Sequence, residues 1–443
     1  MATIALVTLD TFSAKMAGPA IRVWEMATLL SASHDVRVLS FGQADRTPSS
    51  FSLNKTRVAT FEEDLGCPDI VIVQGYLLAT FPWLGQRDWK LVVDLYDPFH
   101  IESLGVEKHR PLTDRTYSLN HALNELKLQL TSGDFFLCAS TVQRDMWIGH
   151  LAALGRINPT TYDADPSLHR LITTAPFGVT SNFPDVSRHR IKGVVPGINP
   201  GDTVLIWAGG IYNWFDPLTV IRAVHLLRTR RPELRLFFLG GAHPNPDVPA
   251  MEMAARAREL SDDLGLTGTH VFFNEEWVDY GLRHEYLADA DIGVTAHFSD
   301  IETHFSFRTR VLDYLWSGLP ILTSEGDFFA RLVEDRGIGA AVEVESPEAM
   351  AEAIDSLIDR VSPDLLGRVR DVGAEFTWER SLAELLEYCN APYFADDRID
   401  RSIGESGDVP RPGRTDLLRR AISYARHHGL KAGVSKAVRY LRR

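Results

Sequence analysis

The stretch "TVLIWAGGIYNWFDPLTVIRA", residues 203–223, sets a short apolar run against paired glycines, a polar loop and the opening of an amphipathic helix. "TVLIW" has the length and the β-branched and aromatic content of a buried parallel strand. Gly209 and Gly210 close it, while Asp216 and Pro217 read as the cap and first position of the helix that follows. Strand, glycine turn and helix in that order are the opening of a βαβ unit. In open sheets of such units, ligands sit outside the carboxyl ends of the strands. The paired glycines leave room for a ligand there, and a tight turn explains them equally well.

The same alternation runs through the whole chain. "TIALVTL", "DVRVLSF", "DIVIVQG", "KLVVDLY" and "DFFLCAS" are strands of a first half, and "LRLFFLGG", "HVFFNE", "DIGVTAH" and "LPILTSEG" continue the second. Between the first two strands, "GPAIRVWEMATLLSAS" places Ala20, Val23, Trp24, Ala27 and Leu30 at helical spacing. The expectation is an α/β protein with two doubly wound units. They occupy residues 1–185 and 200–375, joined by a Pro- and Gly-rich linker near 175–202. A helix at 376–395 and a linker with a basic tail at 396–443 complete the chain.

A length of 443 residues, 45% apolar and 24% charged, exceeds what one core usually supports and agrees with two domains. The three cysteines, Cys67, Cys138 and Cys389, have no CxxC spacing, which argues against a disulfide framework or zinc site and fits a reducing cytoplasm. No signal peptide opens the sequence and no run of about 18 apolar residues spans a bilayer. The formal charge of −13 speaks against nucleic acid as a partner. Residues 411–443 go the other way, with ten Lys or Arg and one Asp. Their apolar spacing reads as basic amphipathic helices, suited to an anionic membrane surface or to docking on the acidic body.

The most specific segment is "ETHFSFRTRVLDYLWSGLP", residues 302–320. On a helix beginning near Ser306, the amides of Ser306, Phe307 and Arg308 would face an anion, with Arg308 and Arg310 adding charge. Cations at a helix start oppose its dipole, and a bound phosphate would resolve that conflict. Asp313 lies about 7.5 Å further along the axis, a distance that suits a ribose attached to the phosphates. An Arg310–Asp313 pair on a solvated face is the plainer explanation. Gly18, before the first helix, allows a diphosphate to approach, with Arg22 a turn inside; a simple helix cap fits as well.

Five motifs, "GPAIRVWEMATLL", "AGGIYNWFDPLTVIRA", "FFLGGAHPNP", "YLADADIGVTAH" and "LDYLWSGLPILTSEGD", together resemble the retaining GT-B glycosyltransferases of family 4 over roughly residues 1–392. The resemblance implies two facing Rossmann-like domains, the first holding the acceptor and the second a nucleotide-diphosphate-sugar, with no metal and no further cofactor. The family carries two glutamates eight apart, the second seven before the Pro of Gly-x-Pro. Here those positions hold Phe305 and Asp313. The resemblance therefore gives Asp313 the ribose and leaves Glu302, if its loop reaches, to read the transferred sugar.

The family's basic pair after the Gly-Gly strand is also missing, because residues 211–221 hold no cation. Arg308 and Arg310 are expected to replace it. At the strand end "VVDLYDPFHIE", Tyr96 and Asp97 stand where the family often has His-Asp. Asp97 or His100 is expected to take the acceptor's proton, although a buried neutral histidine is the commoner fate. Trp277 and Val278 of "NEEWVDY" would flank the base, and Trp277 equally suits a core.

The acidic runs "DAD" (289–291) and "DADP" (163–166) receive no ion. The implied function is sugar transfer with retention to a hydroxyl acceptor, possibly a glycan or a lipid-linked one. A sugar-nucleotide epimerase and a silent partner subunit are the alternatives.

Overall fold

The computed structural model describes residues 1–108, 110–183, 186, 188–241 and 251–398. The basic tail at 411–443 lies outside the described residues.

The first sheet has seven parallel strands: β1 (Thr3–Thr8), β2 (Asp35–Ser40), β3 (Ser52–Lys55), β4 (Ile70–Gln74), β5 (Lys90–Asp94), β6 (Phe135–Cys138) and β7 (Ile172–Thr174). Their order is β3-β2-β1-β4-β5-β6-β7. The second has six, β8 (Thr203–Trp207), β9 (Leu234–Phe238), β10 (Val271–Phe273), β11 (Ile292–Thr295), β12 (Ile321–Ser324) and β13 (Gly339–Val342), in the order β10-β9-β8-β11-β12-β13. Each sheet reverses its winding between two central strands, β1 and β4 or β8 and β11, which opens a crevice at their carboxyl ends.

The central strands are buried on both faces, as "IVIVQ" of β4 is throughout, and this makes them continuous apolar runs. Edge strands β3, β7 and β13 lack that signature. β3 is the partly exposed "SLNK", β7 has three residues, and β13 is "GAAV".

Two features seat the second domain's helix Thr309–Ser317 over its crevice. Tyr314 is buried, accepts the Ala208 N–H at 2.9 Å, and lies 2.8 Å from the Val294 carbonyl. A Cβ on Gly293 of β11 would meet the Tyr314 ring at 2.3 Å, so only glycine admits this ring between β8 and β11. At its far end the chain stops in a Schellman turn. Gly318 has φ 78°, and the Leu319 N–H reaches the Tyr314 carbonyl at 2.9 Å.

The chain crosses between the domains twice. Val179 of the first crossing exchanges backbone hydrogen bonds with Phe376 (2.8 Å) and Trp378 (3.0 Å) of the second. Beyond it, Tyr388 stacks on Phe135 of β6 at 4.3 Å, and Asp397 pairs with the buried Arg156. The end of the described chain is thereby packed against the first domain. No helix of the described residues is long and apolar enough to cross a membrane.

Candidate active site

The helix expected to start near Ser306 starts at Thr309, and a separate short helix precedes it. Asp300 caps a short helix, Ile301–Phe305, by accepting the Thr303 N–H at 3.0 Å. Ser306 then turns extended (φ −75°, ψ 153°), and the next helix begins at Thr309 with Arg308 at its N-cap. The cause is local: the Ser306 hydroxyl and N–H both bond back to the Glu302 carbonyl, at 2.8 and 2.9 Å, and end the first helix. The Ser306 amide is therefore committed and is not available to an anion. The Phe307 ring packs 4.7 Å from Phe329, against the core. No side chain caps the Thr309–Ser317 helix.

Glu302 sits on the short helix and not in a loop, and it is 6% exposed. Arg308 grips it with two hydrogen bonds, Nη1–Oε1 at 3.0 Å and Nη2–Oε2 at 2.6 Å, and the Ser306 hydroxyl donates to it as well. Such a bidentate pair fixes the carboxylate's plane and position. Arg308 Nε is buried without a partner.

Arg310 lies flat over Phe215 at 3.9 Å and Trp207 at 4.5 Å, and donates from Nη2 to the Gly210 carbonyl at 2.7 Å. Its Nη1 is buried without a partner. Burial lowers its pKa to about 10, which leaves it a cation at neutral pH. Gly209 has φ 104°, and a Cβ on Gly240 would strike the Gly209 carbonyl at 2.3 Å. The ends of β8 and β9 thus touch backbone to backbone, with an Arg310 donor left over beside them.

The Arg310–Asp313 pair does not form. Asp313 accepts instead from Arg283 Nε at 3.0 Å, and that guanidinium is sandwiched between Tyr280 (4.0 Å) and Trp316 (4.5 Å). Tyr280 donates to Glu25 of the first domain at 3.3 Å. Trp277 Nε1 reaches the Met16 carbonyl at 3.3 Å, and Lys15 pairs with Glu276 at 2.9 Å. Val278 is partly buried against the core. The 276–280 segment is therefore tied to the loop after β1, across the crevice between the domains.

On the first domain's side, Gly18 opens the helix Gly18–Leu30, and a Cβ there would make only an ordinary 3.8 Å contact with Phe177. Arg22 is committed within the first domain, donating also to the Pro176 carbonyl at 3.1 Å. It is fully buried and locked to Asp94 by bonds of 2.7 and 2.8 Å.

Asp97 and Glu102 hydrogen-bond to each other. Burial, the largest cause, raises Asp97 to about 6 and lifts Glu102 well above the ordinary glutamate value; the neighbouring Glu302 pushes both up, and Arg308 pulls both down. The pair as a whole therefore holds a proton more readily than two separate carboxyls would. The two domains thus bring Asp97, Glu102, Glu302 and Arg308 together. Gln143 clasps that junction, donating to the carbonyls of Tyr96 and Phe305, both at 2.9 Å. Glu102 carried no role in the sequence reading. It stands in the first turn of the helix Phe99–Val106, which turns it back towards Asp97.

His100 is elsewhere. It is 7% exposed and packs on Trp147 (5.6 Å) and His150 (5.4 Å), and burial followed by His150 lowers its pKa to about 4. Its ring is neutral at neutral pH, and its Nδ1 is buried without a partner. Among the described residues, no group of three or more His, Cys, Asp or Glu is arranged to hold a metal ion.

Residues 202–360 match the protein family described as Glycosyl transferases group 1. Sucrose-phosphate synthase from Thermosynechococcus elongatus superposes with a TM-score of 0.64 over 88% of this chain and 98% of its own, at 14% identity. The Anabaena protein HepE, solved in complex with UDP-glucose, superposes with a TM-score of 0.63 over 88% and 100%, at 12% identity.

The fold is GT-B.

In sequence, this GT-B chain is 26% identical over 220 residues to a protein of Paenarthrobacter aurescens named D-inositol 3-phosphate glycosyltransferase, covering 49% of the chain and 50% of that relative. The chain spans about half the length of the curated relatives it matches. Its GT-B crevice is the junction just described, with the Gly209–Gly210 turn and Arg310 on one side and Asp97 and Glu102 on the other.

Proposed function

We propose that the chain is a glycosyltransferase that moves a sugar from a nucleoside-diphosphate donor to a hydroxyl of a glycan or lipid-linked acceptor. The observation that carries this reading is the pair of unspent donors, Arg310 Nη1 on the guanidinium beside the Gly209–Gly210 turn and Arg308 Nε on the guanidinium that acts on Asp97 and Glu102 of the first domain. Buried donors without partners are costly, and a diphosphate seated there would satisfy them.

In this reading the diphosphate rests against the Gly209–Gly210 turn and the start of the Thr309–Ser317 helix. Arg308 and Arg310, rather than a metal ion, supply its counter-charge. As the bond from the anomeric carbon to the phosphate oxygen breaks, charge grows on that oxygen, and fixed cations stabilise it most at that moment. Glu302, held in place by Arg308, reads hydroxyls of the transferred sugar, and Asp313, held by Arg283, reads the ribose. Trp277 and Val278 stand on the base side.

The acceptor oxygen bonds to the anomeric carbon on the face that the diphosphate leaves, as its proton passes to Asp97, whose raised pKa suits a base working near neutrality. Retention of configuration follows from the five-motif resemblance to family 4. A peripheral position at the inner face of a membrane, through residues 411–443, belongs to the same proposal.

The test is a thermal-shift screen of nucleotide-sugars followed by hydrolysis and transfer assays with the stabilising donor. Stabilisation and turnover of one donor support the reading. Absence of both from the whole panel contradicts it.

A further inference from the structure

The loop after β8 brings a donor of its own to the glycine turn. Residues 211–221 hold no cation, yet Tyr212 lies directly against Gly210. A Cβ on Gly210 would meet the edge of the Tyr212 ring at 3.0 Å and its hydroxyl oxygen at 3.2 Å, so glycine at 210 is what lets the phenol approach the turn. Tyr212 is only partly buried. Among the described residues its hydroxyl donates to no group.

Packing fixes that hydroxyl in place. The Tyr212 ring stacks on the buried Trp214 at 4.8 Å, with the two planes 1° apart. The Tyr212 carbonyl accepts the Phe215 N–H at 3.1 Å, and Asn213 accepts the Met253 N–H at 3.2 Å, which ties the loop to the helix Glu252–Asp263. A donor already held in position costs little to use when its acceptor arrives. The loop then leans towards β11, where the Asp216 N–H meets the Ala296 carbonyl at 2.9 Å. Phe215 lies under Arg310 at 3.9 Å and under Arg308 at 4.9 Å, on the side of the turn that holds Glu302. The base side is the other one, where a Cβ on Gly240 would strike the Gly209 carbonyl and a Cβ on Gly241 would strike the Glu275 carbonyl at 2.4 Å.

Two unspent donors of different kinds therefore stand at one turn. Arg310 Nη2 holds the Gly210 carbonyl at 2.7 Å while Nη1 is buried without a partner, and the Tyr212 phenol lies against the same glycine. Phosphate oxygens accept from both guanidinium and hydroxyl. Burial, opposed by Arg310 and aided by Glu102, pushes the phenol up to about 12, so it keeps its proton at neutral pH and remains a donor.

We propose that the Tyr212 hydroxyl is a catalytic donor to the sugar-bearing phosphate, beside Arg310 Nη1. The proposal rests on the transferase reading and adds a residue to its site. A hydroxyl fixed there donates to the phosphate in the bound donor and donates more strongly as charge grows on the departing oxygen, so it serves both binding and turnover. It supplies this without a further buried cation beside Arg308 and Arg310.

The test compares the full chain with Tyr212→Phe, which keeps the ring stack on Trp214 and removes one oxygen. Calorimetric titration uses whichever of UDP, GDP and ADP stabilises the wild type most, together with the matching monophosphate. The variant is expected to bind the diphosphate about 10-fold more weakly, the scale of a hydrogen bond to a charged group, and the monophosphate as well as wild type does. With a nucleotide-sugar of the same base that the wild type hydrolyses, kcat should also fall at least about 10-fold. Equal loss for the two nucleotides would mark a disturbed loop and overturn the proposal. Unchanged diphosphate affinity or unchanged kcat overturns it as well, and so does tighter binding, which would show a phenol that covers the turn instead of serving it. A wild-type chain that binds none of the three diphosphates contradicts the transferase reading itself, a separate outcome from a variant that binds as the wild type does.

Discussion

Arg308 and Glu302 hold each other by two hydrogen bonds, 3.0 and 2.6 Å long, across the break between two helices. The side chain expected to grip a phosphate thus first fixes the acid expected to read a sugar. Arg308→Ala leaves a buried carboxylate without its counter-ion and removes a charge from the diphosphate site. Steady-state kinetics should show kcat/KM falling by about 100- to 1,000-fold, the scale of a lost transition-state donor. Arg308→Lys should restore little of it, because a lysine cannot make the forked contact.

Arg310 is held by stacking on Phe215 and Trp207 and by one carbonyl, and these contacts leave Nη1 unspent. Arg310→Met keeps an elongated side chain of similar reach. Calorimetric titration with the stabilising nucleotide should show affinity reduced about 10- to 100-fold, within the range for a lost charged hydrogen bond. Unchanged affinity would remove Arg310 from the site.

Much of the architecture was legible in the chain itself, because central parallel strands are buried on both faces and must be apolar throughout. β4 and β8 announce themselves for that reason, whereas β3, exposed at the sheet edge, has no such apolar run. The site was legible in part. The segment holding Glu302, Arg308, Arg310 and Asp313 stood out by its charges, but its geometry did not. Nothing in the order of residues showed that Ser306 would fold back on Glu302, or that Asp313 would find Arg283, thirty positions earlier, instead of Arg310 one turn away. Glu102 was hidden for a similar reason. Its neighbour Glu302 belongs to another domain, and only the folded chain brings the two together.

The pH profile follows from Asp97, raised to about 6 chiefly by burial. As a base it must be ionised, so activity should be full above that value and fall as pH drops through it. A log(kcat/KM) profile should show an acid limb centred near pH 6, and Asp97→Asn should lose about 100-fold or more in rate. Stability moves in the opposite sense. A carboxyl whose folded pKa is raised stabilises the fold below its unfolded pKa and loses that contribution as pH rises through the folded one. Asp97→Asn should therefore make the protein more resistant to urea at pH 7 relative to wild type than at pH 4.

Arg22 and Asp94 form a buried, bidentate pair that has no place in the donor site. Arg22→Met strands the Asp94 charge and should cost about 3–5 kcal/mol in urea denaturation. Adding Asp94→Asn should recover part of that loss, because the stranded charge is then gone.

Residues 411–443 carry ten Lys or Arg against one Asp. Sedimentation with liposomes rich in phosphatidylserine should be strong for the full chain at low salt and lost on deletion of these residues, with donor hydrolysis unaffected. Binding that survives the deletion would place any membrane contact elsewhere.

A crystal structure with the nucleoside diphosphate that stabilises the chain most tests the central claim directly. The account predicts a β-phosphate oxygen within hydrogen-bond reach of Arg310 Nη1 and Arg308 Nε, against the Gly209–Gly210 turn, with the ribose beside Asp313. A diphosphate bound away from both arginines, with the ribose remote from Asp313, would contradict it.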